Sequence, residues 1–404
     1  MNGQAKGQAT NQKFARRTRS PSWVEVDLAA VRHNVRALKH SFGVRRHLWA
    51  VVKANAYGHG ATPVARAALQ AGADGLAVAS LPEAAALRRA GIAAPIILLS
   101  AGHPRAAPRT VRLGLIQTAC REDTVRALSR AAGRLGSEAR VHLKVDTGMG
   151  RLGVRPEQAA GFARLLTSLP AVSLEGAFSH LATAESADPS YARTQFLRFQ
   201  EALEQIGAAG INPGMRHIAN SAGALRFPEM RLDGVRTGLL VYGILPDAPG
   251  LAPLDLRPVL TWKTGLAFVQ RLPAGSPVSY GCTHVTSREC LVGVLPLGYA
   301  DGYPRHASNR ARVLVRGREC SIIGVVCMDH VIVDLTPAED ARPGDEVVVI
   351  GRQGNSRISA NQLAQWAGTV VHEIPTVIGR RVGRIYLDQG EPLDPGLSQE
   401  GEPR

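Results

Sequence analysis

The sequence predicts an α/β fold in which a (β/α)8 barrel is followed by a mostly antiparallel β domain. Eight short apolar runs recur over about 190 residues, and each but the last precedes an Ala-, Leu- and Arg-rich segment with helical periodicity. From about Pro258, β-branched runs broken by Gly and Pro replace this rhythm. The length of 404 residues accommodates both domains.

The first part of the chain alternates strands and helices. A short strand at 23–27 and a helix from Leu28 to about Ser41 come first. The predicted barrel strands are 48–53, 75–79, 96–99, 115–118, 140–145, 172–178, 215–219 and 232–236. The predicted helices between them include 62–71, 81–90, 122–135, 156–168 and 191–208. Strands and helices that alternate in this number predict a closed parallel barrel.

The second part is rich in strands. They are predicted at 259–269, 290–296, 311–315, 321–326, 331–335 and 346–350, with one helix at 359–367 that Ser359 opens. We therefore expect a barrel domain at 22–254, whose strand 23–27 packs with the C-terminal domain, and a β domain at 255–387. The basic tail 1–21 and the acidic tail 388–404 are predicted to be disordered.

Charge and cysteine content exclude several classes of protein. The net charge is +15, but only six of the 48 basic residues are Lys, and Arg is spread along the chain, so we expect no nucleic-acid-binding face. No apolar run is long enough to span a membrane, and the basic head lacks the apolar region of a secretory signal, so we expect a cytoplasmic protein. Five cysteines without a CxxC pair predict neither a disulfide framework nor a metal site.

Polar residues follow the predicted ends of the barrel strands, where chemistry takes place in this architecture. They are Lys53 after the first strand, Lys144 and Arg151 at the fifth, His180 after the sixth, His217, Asn220 and Ser221 at the seventh, and Arg236 and Gly238 at the eighth. A lysine shielded from water can have its pKa lowered, which leaves an amine able to attack an aldehyde. Lys53 therefore suits a pyridoxal phosphate Schiff base.

The loops after the seventh and eighth strands are the usual phosphate site of such barrels. Here they read NSAG at 220–223 and TGL at 237–239, and a hydroxyl beside small-residue N–H groups can hold an anion. Taken alone, NSAG is better interpreted as an ordinary helix N-cap. Its coincidence with Lys53 favours the cofactor phosphate.

Seven motifs in order resemble the alanine racemase family over about residues 23–386. They are AVVKANAYGHG (50–60), KVDTGMGRLGV (144–154), HIANSAG (217–223), VRTGLLVYG (235–243), PVSYG (277–281), LGYADGYPR (297–305) and CMDH (327–330). The resemblance implies a pyridoxal 5'-phosphate enzyme that interconverts L- and D-alanine and supplies D-alanine for peptidoglycan.

The resemblance also implies two catalytic groups, Lys53 and Tyr280, on opposite faces of the cofactor. A histidine and an arginine that correspond to His217 and Arg236 make the phenol a better base. Arg236 would face the ring nitrogen and weaken the ring as an electron sink, which favours racemisation over transamination. Further cofactor-binding residues carried over from the family are Tyr57, Arg151, His180, Asn220, Ser221, Gly238 and Leu239, and substrate-binding residues are Arg151 and Met328.

A modified lysine and a dimer follow from the same resemblance. Lys144 corresponds to a lysine that is often carbamylated and then orients Arg151. Tyr280 and Met328 would come from the partner subunit, so we expect a homodimer with shared sites. Tyr299 corresponds to a gate that keeps the pocket small, and its alternative is a turn aromatic with a core role.

Three departures leave the preference for alanine over serine open. His284 stands where many relatives have an aromatic residue, Arg380 where some have a tyrosine, and Gly383 where a proline is found. The alternatives are a racemase of another small amino acid such as serine, an amino-acid decarboxylase on the same barrel, and a non-catalytic pyridoxal phosphate carrier. Arg236 argues against the decarboxylase, and a β domain that bears Tyr280 argues against the carrier.

Overall fold

The computed structural model describes residues 20–393, so most of the two predicted tails lies outside the described residues. These residues form two compact units, which we call the barrel unit (30–56 and 61–257) and the β unit (20–29, 57–60 and 258–393). Strand β1 (Ser22–Asp27) belongs to the β unit, and helix α1 (Leu28–Phe42) follows it directly. No helix within residues 20–393 is long and apolar enough to cross a membrane.

Eight parallel strands form the sheet of the barrel unit, and the predicted barrel is confirmed. They are β2 (His47–Val51), β3 (Gly75–Val78), β4 (Ile96–Leu98), β5 (Ile116–Ala119), β6 (Ala139–Lys144), β7 (Val172–Phe178), β8 (Met215–His217) and β9 (Gly234–Thr237). Each strand pairs with the next in sequence from β2 to β8, and β9 pairs with β2. Backbone hydrogen bonds from Asp233 N to Arg216 O and from Arg236 N to Ala219 O, both 3.1 Å, join the last two strands and nearly close the sheet.

Helices connect these strands. They are α2 (Ala61–Gln70), α3 (Leu81–Arg89), α4 (Ala107–Arg112), α5 (Glu122–Leu135), α6 (Ala159–Ser168), α7 (Ser190–Ala208) and α8 (Ser221–Arg226). Their apolar sides pack with the strands, and Leu143 shares one buried cluster with Ala132 and Phe199. Each fully buried Leu or Phe side chain contributes about 1.5–3 kcal/mol.

The β unit contains an eight-stranded sheet, a three-stranded sheet and a hairpin. Its further strands are β10 (Leu260–Gly265), β11 (Phe268–Leu272), β12 (Pro277–Val278), β13 (His284–Val285), β14 (Cys290–Leu295), β15 (Arg312–Val315), β16 (Arg318–Ser321), β17 (Val331–Asp334), β18 (Glu346–Gln353), β19 (Ser356–Ile358), β20 (Gly383–Asp388) and β21 (Glu391–Pro392). Helices α9 (Ala360–Ala367) and α10 (Glu373–Thr376) complete it. Strand β1 pairs antiparallel with β10 and parallel with β20, and all other strand pairs among the described residues of this unit are antiparallel.

A largely buried ion triad links three strands of the large sheet. Lys263 Nζ lies 3.0 Å from Glu25 Oε1 and 3.1 Å from Glu346 Oε2, and all three side chains are at most 15% exposed. Burial alone would lower the pKa of Lys263, but the two carboxylates raise it on balance. The cation is therefore held between β1, β10 and β18.

Three details of the β unit differ from the prediction. The run 259–269 is two strands, because Ala267 N bonds to Val294 O, so the chain leaves the large sheet for the three-stranded one. The strand predicted at 321–326 is wrong: β16 ends at Ser321, only Ile322 forms a bridge with Val333, and Gly324 has a φ of 76°. The short strands β12, β13 and β19, the last strands β20 and β21, and helix α10 were not predicted.

Candidate active site

Lys53 begins an unusual turn at the end of strand β2. The following residues, 54–57, all have positive φ angles between 51° and 54°, although none of them is glycine. Such a left-handed turn is unfavourable for L-residues by about 1–2 kcal/mol each, so other contacts must hold it. Two contacts within the barrel unit do so: Glu83 Oε1 accepts the Ala54 N–H at 2.7 Å, and Asn55 Oδ1 accepts the Ala61 N–H at 2.7 Å.

The surroundings of Lys53 favour its neutral amine. Burial lowers the pKa of Lys53, the Arg151 charge lowers it further, and the Glu83 carboxylate opposes them. Glu83 also completes a capping box with Ser80 at the start of α3. Sequence reasoning missed Glu83, although the Ser-x-x-Glu pattern after strand β3 is a signal for that cap.

A hydrogen bond joins the loops after β8 and β9, the two loops of the phosphate-site hypothesis. Asn220 caps helix α8 by accepting the Gly223 N–H at 2.9 Å, and Ser221 Oγ accepts the Gly238 N–H at 3.1 Å. Leu239 is buried and opens a short 3-10 turn. Thr237 Oγ1 is buried and has no hydrogen-bond partner among the described residues.

Arg236 lies at the centre of a buried polar network on β9. Its Nη1 is 2.6 Å from His217 Nδ1, and its Nη2 is 3.1 Å from His180 Nδ1. Because a guanidinium has only donors, both ring nitrogens accept. Burial and the Arg236 charge hold the pKa of His217 and of His180 well below their usual range, so both rings are neutral. Burial, assisted by Arg151, lowers the pKa of Arg236 to about 9, so its charge persists at neutral pH.

His142 extends this network and was missed by the sequence reasoning. Its Nδ1 lies 2.9 Å from His217 Nε2, and its ring packs edge-on against Trp49. Since His217 Nδ1 accepts from Arg236, its Nε2–H donates to His142. Burial, with the charges of Arg140 and Arg236, lowers the pKa of His142 to about 3. The available signal was its position two residues before Lys144, because alternate residues of a strand share a face.

Lys144 is a buried basic residue at the end of β6. It is 6% exposed, its Nζ donates to Val145 O at 3.0 Å, and it lies 5.2 Å from the ring centre of Phe178. Burial, assisted by Arg236, lowers the pKa of Lys144 to about 7. Asp146, which accepts the N–H groups of residues 148–150, shapes the loop that leads to Arg151, whose side chain is exposed.

The other predicted site residues lie in the β unit. Tyr57 is buried, and burial raises its pKa to about 12. Three residues expose much of their surface: Tyr280 is 72% exposed, Met328 53% and Tyr299 42%. The backbone joins two of their loops, because the Tyr299 N–H donates to Cys327 O at 3.1 Å and the Ala300 N–H donates to Met328 O at 3.0 Å.

The departures from the family pattern also fall in the β unit. His284 begins β13 and is half-buried, Arg380 is exposed, and Gly383 opens β20. Residues 20–393 contain no group of three His, Cys, Asp or Glu side chains that could hold a metal ion.

Comparison with known proteins gives one consistent result. Residues 26–246 match the family model for the alanine racemase N-terminal domain, and residues 259–386 match that for the C-terminal domain. The chain is 51% identical to the alanine racemase of Symbiobacterium thermophilum, over 91% of this chain and 97% of that protein.

Solved structures agree. The alanine racemase of Bacillus anthracis with bound L-Ala-P superposes with a TM-score of 0.86 at 38% identity, covering 93% of this chain and 97% of that one. The enzyme from D-cycloserine-producing Streptomyces lavendulae gives 0.83 at 40% identity, with 91% and 97% covered. On these matches the chain belongs to the alanine racemase family, the enzymes that interconvert L- and D-alanine.

Proposed function

We propose that this chain racemises alanine with pyridoxal 5'-phosphate. Its two proton-transfer groups would be its own Lys53 and Tyr280 of the partner subunit. In this proposal the enzyme acts in the cytoplasm and supplies D-alanine for peptidoglycan. The observation that carries it is the grouping within the barrel unit of an amine of lowered pKa, a buried cationic network and two loops with oxyanion donors.

The chemistry of the donor set fits this cofactor. Ser221 Oγ accepts from Gly238, which leaves its own O–H able to donate to a phosphate oxygen. Thr237 contributes a buried hydroxyl without a partner among residues 20–393, and buried polar groups of this kind point to a missing ligand or water. Lys53, Lys144 and Arg236 are basic, as an anionic group requires. Ser221, Gly238 and Leu239 would hold the phosphate with Tyr57, His180 would pack against the ring, and Asn220 shapes the loop.

Pyridoxal phosphate, when bound, supplies an aldehyde that links to an amine and a ring that withdraws electrons from the α-carbon of the substrate. Lys53 suits the linkage because its lowered pKa raises the fraction of neutral amine at neutral pH. When it is not linked to the cofactor, the same amine would take or return the α-proton on its face. The Tyr280 hydroxyl of the partner subunit would do so on the other face.

Arg236 would face the ring nitrogen. Its guanidinium keeps its charge at neutral pH and donates a hydrogen bond to His217, so it would not transfer a proton to that nitrogen. His217 is itself fixed by His142, which holds the guanidinium in one orientation. Rapid return of the α-proton, and so racemisation, is the expected outcome.

Lys144 is proposed to be carbamylated. The reaction joins the neutral amine to carbon dioxide and releases a proton, and the pKa of about 7 makes the neutral amine abundant at neutral pH. The carbamate would be an anion that orients Arg151, which in turn would contact substrate and cofactor. Labelling with 13C-bicarbonate should give one carbamate signal that the Lys144→Met variant lacks, and a bare amine would contradict the proposal.

The shared site of a homodimer is proposed from the exposed side chains of the β unit. Tyr280, Met328 and Tyr299 expose large apolar surfaces that a partner would bury. In that site Met328 of the partner subunit would contact the substrate and Tyr299 would limit the size of the pocket. Co-expressed Lys53→Ala and Tyr280→Ala chains should regain partial activity, because one of the two sites in a heterodimer is intact. Verified heterodimers without activity would refute sharing.

Substrate range is the direct test of the function. The purified chain, supplied with cofactor, should convert L-alanine to D-alanine faster than it converts L-serine, measured by chiral chromatography. Lys53→Ala should abolish both conversions. Faster turnover of L-serine would show a racemase of another small amino acid, and release of carbon dioxide would show a decarboxylase.

A further inference from the structure

Ser279, the residue before Tyr280, has a strained backbone. Its φ of 63° and ψ of −174° lie in a region that only glycine ordinarily occupies. Gly281 and Cys282, on the other side of Tyr280, also have positive φ angles of 71° and 49°. A short loop in this conformation persists only where neighbouring contacts enforce it.

The Ser279 side chain provides one such contact. Its Oγ donates to Val325 O at 2.6 Å and lies 3.4 Å from Cys327 Sγ. The loop packs closely on this segment, because a Cβ added to Gly324 would lie 2.7 Å from Ser279 Cβ. The hydroxyl therefore ties the Tyr280 loop to the backbone just before Met328.

Asn309 provides the second contact, beyond Tyr280. Its Nδ2 donates to Thr283 Oγ1 at 3.0 Å, and its Oδ1 accepts the Gly324 N–H at 2.6 Å. The loop is thus attached to the same segment on both sides of Tyr280. The Tyr280 side chain itself is 72% exposed and has little packing of its own to orient it.

We propose that Ser279 is a positioning residue for Tyr280: its hydrogen bond to Val325 holds the strained backbone that directs the phenol. The inference rests on the proposed role of Tyr280 as a proton-transfer group. Glycine adopts the Ser279 conformation without strain, whereas alanine does not and also lacks the hydroxyl. We therefore expect kcat to be highest in the wild type, lower in Ser279→Gly and lowest in Ser279→Ala.

The kinetic test compares these variants with Ser276→Ala. Ser276 is a matched control, because its hydroxyl also donates to a backbone carbonyl, that of Pro273, at 2.8 Å. Ser279→Ala should lower kcat on the order of tenfold to a hundredfold, the usual effect of a misplaced catalytic group, with KM for alanine nearly unchanged. Ser276→Ala should match the wild type. Wild-type kcat in Ser279→Ala, or a larger loss in Ser279→Gly than in Ser279→Ala, would overturn the proposal.

Hydrogen exchange in deuterated water separates positioning from general damage. If only the Tyr280 face is impaired, Lys53 still removes the α-proton of one enantiomer and returns solvent deuterium to the same face. That enantiomer should show more exchange without inversion than in the wild type, and the other enantiomer should not. An equal change for both enantiomers would refute the proposal. Tyr280→Phe, measured in parallel, tests the proposed function itself. A fully active Tyr280→Phe variant would show that the proposed role of Tyr280 is wrong. An impaired Tyr280→Phe variant together with a normal Ser279→Ala variant would reject only the positioning role of Ser279.

Discussion

The buried Lys144 predicts an unusual dependence of stability on pH. Each tenfold change in a protonation equilibrium corresponds to about 1.4 kcal/mol. Lowering its pKa from 10.5 to about 7 therefore destabilises the folded, charged form by up to about 5 kcal/mol. Below pH 7 this penalty is complete, because Lys144 is charged in both states. Between pH 7 and 10.5 the folded state binds fewer protons than the unfolded state, so stability rises with pH.

The variant Lys144→Met keeps most of the length of the side chain and removes its charge. Relative to the wild type in bicarbonate-free buffer, the variant should be more stable by up to about 5 kcal/mol near pH 6, and the difference should shrink towards zero above pH 10. The assay is urea unfolding at fixed protein concentration across this range. Added bicarbonate near pH 8 should stabilise the wild type and not the variant, since only Lys144 can form the proposed carbamate.

Lys263→Met is the matched control, with the opposite sign. It removes a largely buried cation from between two carboxylates, so it should destabilise the protein by up to about 3–5 kcal/mol at neutral pH. Because the carboxylates outweigh burial and raise the pKa of Lys263, this lysine stays charged throughout the pH range where Lys144 titrates. The destabilisation caused by Lys263→Met should therefore not depend on pH in that range. If Lys144→Met showed the same free energy of unfolding as the wild type at both ends of that range, the account of Lys144 would be refuted.

Two further predictions concern the loops that hold the site. Replacing Glu83 by Gln removes the charge that raises the pKa of Lys53, so the Lys53 amine should stay neutral at lower pH. The lowest pH at which the apoprotein rebinds the cofactor should therefore decrease. An increase would contradict this electrostatic role of Glu83. Gly298→Ala places a Cβ 2.2 Å from Met328 O and should raise KM for alanine. Its control is Gly161→Ala, where the added Cβ meets no atom within 4 Å. This control should leave KM unchanged and stabilise helix α6 by about 0.5–1 kcal/mol. Equal KM values for the two variants would reject the contact between residues 298 and 328 as a determinant of the site.

The barrel could be predicted from the sequence because its pattern is local. Runs such as 75–79 and 96–99 are apolar on both faces, as buried parallel strands require, and each lies within a residue of an observed strand. Lys53, at the end of the run 48–53, and the small residues after the runs 215–219 and 232–236 could also be identified from the sequence, because such barrels place their catalytic residues at strand ends.

The details that depend on distant contacts could not be predicted. In Ala-Asn-Ala-Tyr at 54–57 only Asn55 tolerates a left-handed conformation well, and Glu83 holds the turn from another helix. Strand β20 was missed because its partner is β1, at the other end of the described chain. The backbone at Ser279 is set by Val325 and could not be anticipated from PVSYG.

The lysine to which the cofactor attaches can be identified by reductive trapping. The purified protein, loaded with pyridoxal phosphate, is reduced with borohydride, digested and analysed by mass spectrometry, with Lys53→Ala as the control. We expect a pyridoxyl group on Lys53 and on none of the other five lysines, and none in the variant. A group on Lys144, or a protein that binds no cofactor and still racemises alanine, would contradict it.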